Sequence, residues 1–267
     1  MTEASPRFRR ILVPVDLSLR SADALRYAVA FGSRHQAQLD VLHVWHSDLT
    51  IAVTAARDRA KSALREFVGA LALEGNVALR RHTDHGDPYL TIQRVARLSG
   101  HDLIVVAGPD ANRGNADSLA LSLLATAPSA VLFVPPNCGP RFRSPQDRAL
   151  RLERLLVPLA LAGDELEALA CAEALAEPDQ AAVDVLLSSD VADAQLERFR
   201  ARHLGSRSEE LSEGLEVASA VRKRAQTVAP DLLVFCGERA QVGARPADLP
   251  TQRIALGEHC PSLCLAS

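Results

Sequence analysis

One stretch of this chain occurs twice, and the repeat restricts the folds open to it. Residues 102–114 read DLIVVAGPDANRG, and residues 231–243 read DLLVFCGERAQVG. Each copy is a short apolar run that ends in glycine, which is typical of a strand buried on both faces of a parallel sheet. A glycine at a strand end lets the backbone turn sharply beside a ligand. Ligands of open parallel sheets bind beyond the carboxyl ends of the strands, so these two loops are the first candidates for a binding site.

The rest of the first copy alternates between strand and helix patterns. Ser18 and Ser21 can cap the first helix, and Asp87 followed by Pro88 begins the third. Alternation of this kind predicts an open parallel sheet with helices on both faces, a Rossmann-like α/β domain. The predicted strands are 11–15, 39–44, 77–83, 103–107 and 130–134, and the predicted helices include 50–73 and 119–125.

The second half repeats the first in a fixed register. LLVPL at 155–159 matches ILVPV at 11–15 with an offset of 144, and the same offset pairs Asp40 with Asp184. The later offset of 129 makes the second copy 15 residues shorter, and the loss falls in its second helix and third strand. The repeat predicts two tandem domains of about five strands each. Their bounds are 1–138 and 151–267, with a linker rich in proline and arginine at 139–150.

Composition excludes several classes of protein. The chain has 267 residues, 48% of them hydrophobic, and a net charge of −3, which fits two folded domains. It has no extended basic run and no apolar stretch near ~18 residues, so we expect neither a nucleic-acid partner nor a membrane partner. Five scattered cysteines suit a reduced, cytoplasmic protein better than a disulfide framework.

The order of ILVPVD, LDVLHV, HGDPY and DLIVVAG followed by APSAVLFV resembles the universal stress protein family. The chain is similar to the tandem form, with two such domains in one polypeptide. The resemblance implies an adenine nucleotide alpha hydrolase-like fold in each half. It also implies an intramolecular pseudo-dimer through the last strands, 130–134 and 262–266, and a homodimer of the whole chain.

Many members of that family bind ATP through G-x(2)-G-x(9)-G-[ST] after strand four, together with an Asp that ends strand one and a Val that ends strand two. The second Gly of the motif is Ala111 here. The third aligns either with Leu121, followed by Ser122, or with Asp117, followed by Ser118; the second alignment preserves the helix that leads into APSAV. The resemblance thus assigns a set of candidate nucleotide-binding residues: Asp16, Val44, Gly108, Gly114 and Ser118.

The second copy departs further from the family pattern. Ala160 replaces Asp16, Ser188 replaces Val44, and Ala240 stands for the second Gly. Two prolines, at 246 and 250, each remove an amide donor, and Asp248 places a carboxylate where phosphate charge would lie. We therefore expect any bound ATP or AMP in the first domain only.

Each candidate residue also has a purely structural interpretation. Asp16 contacts a nucleoside or caps the turn after strand one. Gly108 and Gly114 either leave room for phosphate or only allow the backbone to turn. Ser118 caps a helix whether or not a ligand binds. The triplet His82, Asp84 and His85 has metal-ligand residue types, but its spacing alternates faces on a strand, so we expect no metal. His43 is expected in the core with a hydrogen-bond partner, and Trp45 at the end of the sheet.

Three functions follow from these patterns. The first is a stress-associated regulator that binds an unidentified protein partner and whose nucleotide-binding loops are degenerate. The second is an ATP- or AMP-binding protein with the nucleotide in the first domain. The third, ranked below both, is a metal- or thiol-dependent redox module. No nucleophile lies at a spacing that would bring it to a base, so we expect no catalytic residues and no enzyme.

Overall fold

The computed structural model describes residues 8–46, 53–71, 73, 76–108, 118–144, 148–159, 165–187, 207–210, 217–237 and 260–266. It divides into two compact units, Arg7–Arg151, called the first unit, and Leu152–Ser267, called the second unit. Within the described residues, no helix is both long enough and apolar enough to cross a membrane.

The first unit is a parallel sheet in the order β3-β2-β1-β4-β5 with helices between the strands. This confirms the predicted α/β class; within the described residues, helix α2 ends at Ala70, before the predicted end at residue 73. The elements are β1 (Arg10–Pro14), α1 (Leu19–His35), β2 (Gln38–Trp45), α2 (Val53–Ala70), β3 (Ala78–His85), α3 (Pro88–Ser99), β4 (Leu103–Ala107), α4 (Ser118–Thr126) and β5 (Ala130–Val134).

The second unit is a parallel sheet in the same arrangement, β8-β7-β6-β9-β10. Leu12 lies opposite Asp40 in the first unit, and Leu156 lies opposite Asp184 in the second, so strand pairing follows the offset of 144. The predicted pairing of the two last strands stays a prediction. The elements are β6 (Arg154–Leu159), α5 (Glu165–Ala176), a 3₁₀ turn (Glu177–Asp179), β7 (Ala182–Leu187), β8 (Arg207–Glu210), α6 (Val217–Val228), β9 (Leu232–Gly237) and β10 (Ser262–Ala266).

Two helices of the first unit begin at the carboxyl edge of its sheet, as predicted. Ser18 caps α1 by accepting a hydrogen bond from the Ser21 amide at 3.3 Å. Asp87 caps α3 by accepting one from the Leu90 amide at 2.9 Å, and Pro88 fills the first helical position. Both helices therefore direct their amino-terminal ends toward the edge where a ligand of such a sheet binds.

The segment predicted as a linker packs on the first unit. The Leu150 amide donates to the Ala30 carbonyl of α1 at 3.0 Å, and Arg34 Nη1 donates to the Leu150 carbonyl at 3.0 Å. Phe142 forms an antiparallel bridge with Leu150. These bonds place the stretch before Arg151 within the first compact unit.

A polar cluster lies near the amino ends of the strands, away from that edge. Asp40 of β2 is 4% exposed and accepts hydrogen bonds from His101 Nε2 at 2.9 Å and His82 Nε2 at 3.2 Å. Arg10 Nη2 lies 3.9 Å from the same carboxylate. The second copy has an aspartate, Asp184, at the position equivalent to Asp40. Asp184 is also buried, and it pairs with Arg154 Nη1 at 3.2 Å. A buried carboxylate with several donors ties neighbouring strands together.

Acid is expected to weaken the fold through Asp40. Burial raises the pKa of Asp40, but the hydrogen bonds and charges of His101 and His82 outweigh it and hold the pKa below its usual value. The folded chain therefore binds this proton less readily than the unfolded chain. The ionised Asp40 carboxylate therefore adds to the free energy of unfolding. This stabilisation is complete above the unfolded pKa of about 3.9 and is lost as pH falls through the folded pKa. Urea titrations at a series of acidic pH values should show a shallower loss of unfolding free energy for Asp40→Asn than for wild type.

The control for this prediction keeps the carboxylate and lowers stability elsewhere. Leu64 is 1% exposed, so Leu64→Ala destabilises the core while leaving Asp40 in place. In that variant, the free energy of unfolding should fall with decreasing pH as steeply as it does in wild type. Equal slopes for wild type and Asp40→Asn would contradict the role of Asp40.

Candidate functional site

A pocket of about 240 Å³ opens at the carboxyl edge of the first sheet. Its floor comes from the ends of β1, β2 and β4, and its sides from the first turns of α1 and α3 and from α4. The chain runs from β1 outward to β2 and β3 and returns to β4 on the other side of β1, which makes the gap between β1 and β4 the topological switch point. The strand order thus places the pocket where the sheet topology predicts a ligand.

One side of the pocket is polar and is built from the turn after β1. The Ser18 amide donates to Asp16 Oδ1 at 3.0 Å, and the Ser18 hydroxyl donates to the same oxygen. Between these two residues, Leu17 adopts φ 64°, a left-handed conformation that a branched residue rarely takes. Outliers of this kind are concentrated in functional turns, and this one brings Asp16 and Ser18 to the same pocket.

The Asp16 carboxylate is held in its charged form. Burial raises the pKa of Asp16, but hydrogen bonds from Ser18 and Ser21 and the nearby charge of Arg20 outweigh it, so the pKa lies below its usual value. Arg20 and Ser21 also line the pocket from the first turn of α1. The polar side therefore offers a charged acceptor, hydroxyl groups and a guanidinium.

The rest of the lining is apolar. Val44, which the family resemblance assigns to the nucleoside, belongs to this apolar lining near the end of β2. His43 fixes the floor, because its Nδ1 donates to the Val15 carbonyl at 3.0 Å and so joins the ends of β1 and β2. The predicted hydrogen-bond partner of His43 is thereby confirmed, whereas its predicted place in the core is wrong, because the residue is only half-buried. The apolar lining consists of Pro14, Val15, Leu42, Val44, Pro88, Ile92, Val106, Ala107, Leu119 and Ala120.

The structure gives Gly108 a packing role. Its amide donates to the Val134 carbonyl at 2.6 Å, and an added Cβ would lie 3.2 Å from that same oxygen. Its neighbour Ala107 lines the pocket, and Gly108 itself is not among the described lining residues. The close approach of β5 therefore explains this glycine without a ligand.

The remaining predicted site residues are only partly described. Gly114 lies outside the described residues, as do Ala111 and Asp117. Ser118 begins α4, and the next two residues of that helix line the pocket. Asp16 and Val44 thus line one pocket, and their part in nucleotide binding stays a prediction; the sequence did not single out Arg20 and Ile92, which line the same pocket. The available signal for Arg20 was its place in the first helical turn after Asp16.

The histidine triplet separates in the structure. His82 bonds to Asp40, Asp84 forms an ion pair with Arg94, and the His85 ring lies 4.7 Å from that of Trp45. Trp45 is buried at the end of β2, as predicted. Among the described residues, no group of three or more His, Cys, Asp or Glu side chains is placed to hold a metal ion.

Comparison with known families identifies the first unit. Residues 7–135 match the model described as the universal stress protein family. The first unit is therefore similar to the universal stress protein family along almost its whole length. The parallel sheet, the strand-one Asp and the strand-two Val all lie within the matched residues.

Solved structures extend the likeness to the whole chain. A universal stress protein from Archaeoglobus fulgidus DSM 4304 has a TM-score of 0.74 and 16% identity and covers 97% of each chain. A protein of unknown function from Pseudomonas aeruginosa PAO1 has a TM-score of 0.64 and 16% identity, over 97% of this chain and 92% of that chain. At this identity the likeness shows the fold alone, here the tandem fold of two units.

A second kind of match covers one half only. The universal stress protein UspA from Lactobacillus plantarum is 29% identical over 48% of this chain and 99% of that chain, with a TM-score of 0.42. No curated protein matches the chain.

Proposed function

We propose that this chain is a universal stress protein and a non-enzymatic regulator, whose first unit binds an adenine nucleotide, ATP or AMP, and whose second unit does not. The observation that carries the proposal is the pocket that joins Asp16 to Val44 at the switch point of the first sheet. The nucleotide would act as a signal that changes how the chain binds a protein partner.

The polar and the apolar lining residues of the pocket suit the ribose and the base of a nucleoside. Apolar side chains such as Val44, Ile92 and Leu42 offer a surface for the adenine ring. Both bonds from Ser18 end on Oδ1 of Asp16, so a ribose hydroxyl would donate to Oδ2. The volume of about 240 Å³ is below the ~300–1,000 Å³ of common ligand pockets, which fits a nucleoside with its phosphates outside.

The sequence of the phosphate loop supports weak binding. Ala111 stands where the family motif has its second Gly, and the interval from Gly108 to Ser118 is four residues shorter than the motif. Fewer close backbone contacts to phosphate mean lower affinity, and we expect a dissociation constant no better than roughly micromolar. In the second unit, Ala160 has no carboxylate to accept a ribose hydroxyl.

Nucleotide carried through purification tests the proposal. The purified chain is denatured, and the supernatant is analysed by chromatography for adenine nucleotides. Wild type should release AMP or ATP in less than equimolar amount, because weak ligands are partly lost during purification. Asp16→Ala should release much less. Equal amounts from both proteins would show that the nucleotide is bound elsewhere.

A second candidate function is binding of a partner without any nucleotide, and exposed leucines favour it. Leu19 is 87% exposed and Leu90 is 64% exposed, and each lies in the first turn of a helix that lines the pocket. Contiguous exposed apolar patches mark interaction surfaces, and the second candidate places these two leucines in one such patch. We propose a second copy of this chain as the partner to be tested first.

Light scattering tests whether two copies of the chain associate through these leucines. The chain has a mass of 28.7 kDa, so a homodimer would give about twice that value. A dimer that becomes a monomer in the double variant Leu19→Ser, Leu90→Ser would support a contact through these leucines. A wild-type mass near 28.7 kDa would overturn it.

A further inference from the structure

We infer that Arg20 makes the first pocket selective for a phosphorylated ligand, so that a nucleotide binds and the matching nucleoside binds much less tightly. This inference rests on the proposed function and adds the charge that the ligand must carry. It assigns to Arg20 a role in specificity that the family motif, which begins after strand four, does not contain.

Arg20 is the cation of a pocket whose only other charged lining residue, among those described, is Asp16. The Asp16 carboxylate already accepts two hydrogen bonds from Ser18 and is suited to bind a hydroxyl donor. Guanidinium groups match phosphate oxygens in geometry and charge. The two charged residues therefore recognise different parts of one ligand, its ribose and its phosphate.

The position of Arg20 on α1 strengthens its attraction for an anion. Arg20 is the second residue of the helix, and the first turn contains no acidic side chain. The amino-terminal end of a helix carries a partial positive charge, which adds to that of the guanidinium. Helix and side chain together favour a negative group at the mouth of the pocket.

The repeat provides an internal comparison. At the offset of 144, Asp164 stands where the first copy has Arg20, and Ala160 stands where it has Asp16. The second copy thus loses the hydroxyl acceptor and replaces the phosphate cation with an anion. Both changes occur at the positions that we assign to ligand recognition, whereas the buried acid of the fold, Asp40, is retained as Asp184.

Calorimetric titration with two ligands tests the inference. Adenosine and AMP are titrated into wild type, Arg20→Gln and the control Arg26→Gln. Arg26 lies on the same helix, pairs with Asp23 at 3.1 Å and does not line the pocket. Wild type should bind AMP at least about tenfold more tightly than adenosine, and Arg20→Gln should lose roughly ten- to a hundredfold in AMP affinity. Adenosine affinity should change by no more than about twofold, and Arg26→Gln should resemble wild type.

The outcomes separate the inference from the proposed function. Equal affinities of wild type for adenosine and AMP would overturn selectivity for phosphate while leaving nucleoside binding intact. An equal loss for both ligands in Arg20→Gln would mean that Arg20 acts through the turn around Asp16, which also overturns the inference. Absence of binding by either ligand to wild type would overturn the proposed function itself. The comparison of the two ligands in wild type needs no variant, so it remains decisive if a variant folds poorly.

Discussion

Replacing Asp16 by alanine is expected to weaken the binding of AMP or ATP by roughly ten- to a hundredfold. A hydrogen bond to a charged acceptor contributes about 1.5–3 kcal/mol, and alanine removes the acceptor for the ribose hydroxyl. The variant also frees Ser18, whose amide and hydroxyl both bond to that carboxylate. Trp45, the single tryptophan, follows the pocket residue Val44 on β2, so intrinsic fluorescence can report on binding.

The control for this prediction changes an acid on the same helix. Asp23 pairs with Arg26 and accepts a hydrogen bond from the Asn137 amide, and it does not line the pocket. Asp23→Ala should therefore keep the nucleotide affinity of wild type. Affinity that survives Asp16→Ala unchanged would refute the role of Asp16.

Replacing Asp40 by alanine is expected to lower the free energy of unfolding by about 3 kcal/mol, because it removes the common partner of several donors. His101 is 6% exposed and would be left without the acceptor of its Nε2 proton. His82 and Arg10 would lose the same partner. The loss should appear as a lower urea midpoint with an unchanged slope.

An exposed acid provides the matched control for Asp40. The Asp58 side chain on α2 is 63% exposed, and Asp58→Ala should change the unfolding free energy by less than about 0.5 kcal/mol. Asp184→Ala should resemble Asp40→Ala in effect, because Asp184 is buried and faces Arg154. A loss below about 1 kcal/mol for Asp40→Ala would contradict its place at the centre of the cluster.

The sequence was sufficient for the parts of the structure that depend on local patterns. Apolar runs and helix caps predicted the strands and helices, and the offset of 144 predicted that the two halves are equivalent. The structure confirms this equivalence, because Leu12 pairs with Asp40 and Leu156 with Asp184. Asp16 and Val44 were assigned by the family resemblance, and both line one pocket because the carboxyl ends of neighbouring parallel strands meet at one edge.

The parts that the sequence did not reveal depend on contacts between distant residues. Asp40 lies in an apolar strand pattern, and its partner His101 follows 61 residues later, so no local spacing indicated their hydrogen bond. Gly108 fits a phosphate loop by sequence, yet the structure shows that the nearby Val134 carbonyl already explains it. Arg20 was missed because its place in the first helical turn after Asp16 indicates a binding residue only once the pocket beside it is seen.

A crystal structure determined with AMP tests the central proposal most directly. We expect one nucleotide per chain in the first unit, with the adenine against Val44, a ribose hydroxyl on Asp16 and the phosphate near Arg20. A nucleotide bound in the second unit, or a first pocket that stays empty at millimolar AMP, would contradict it.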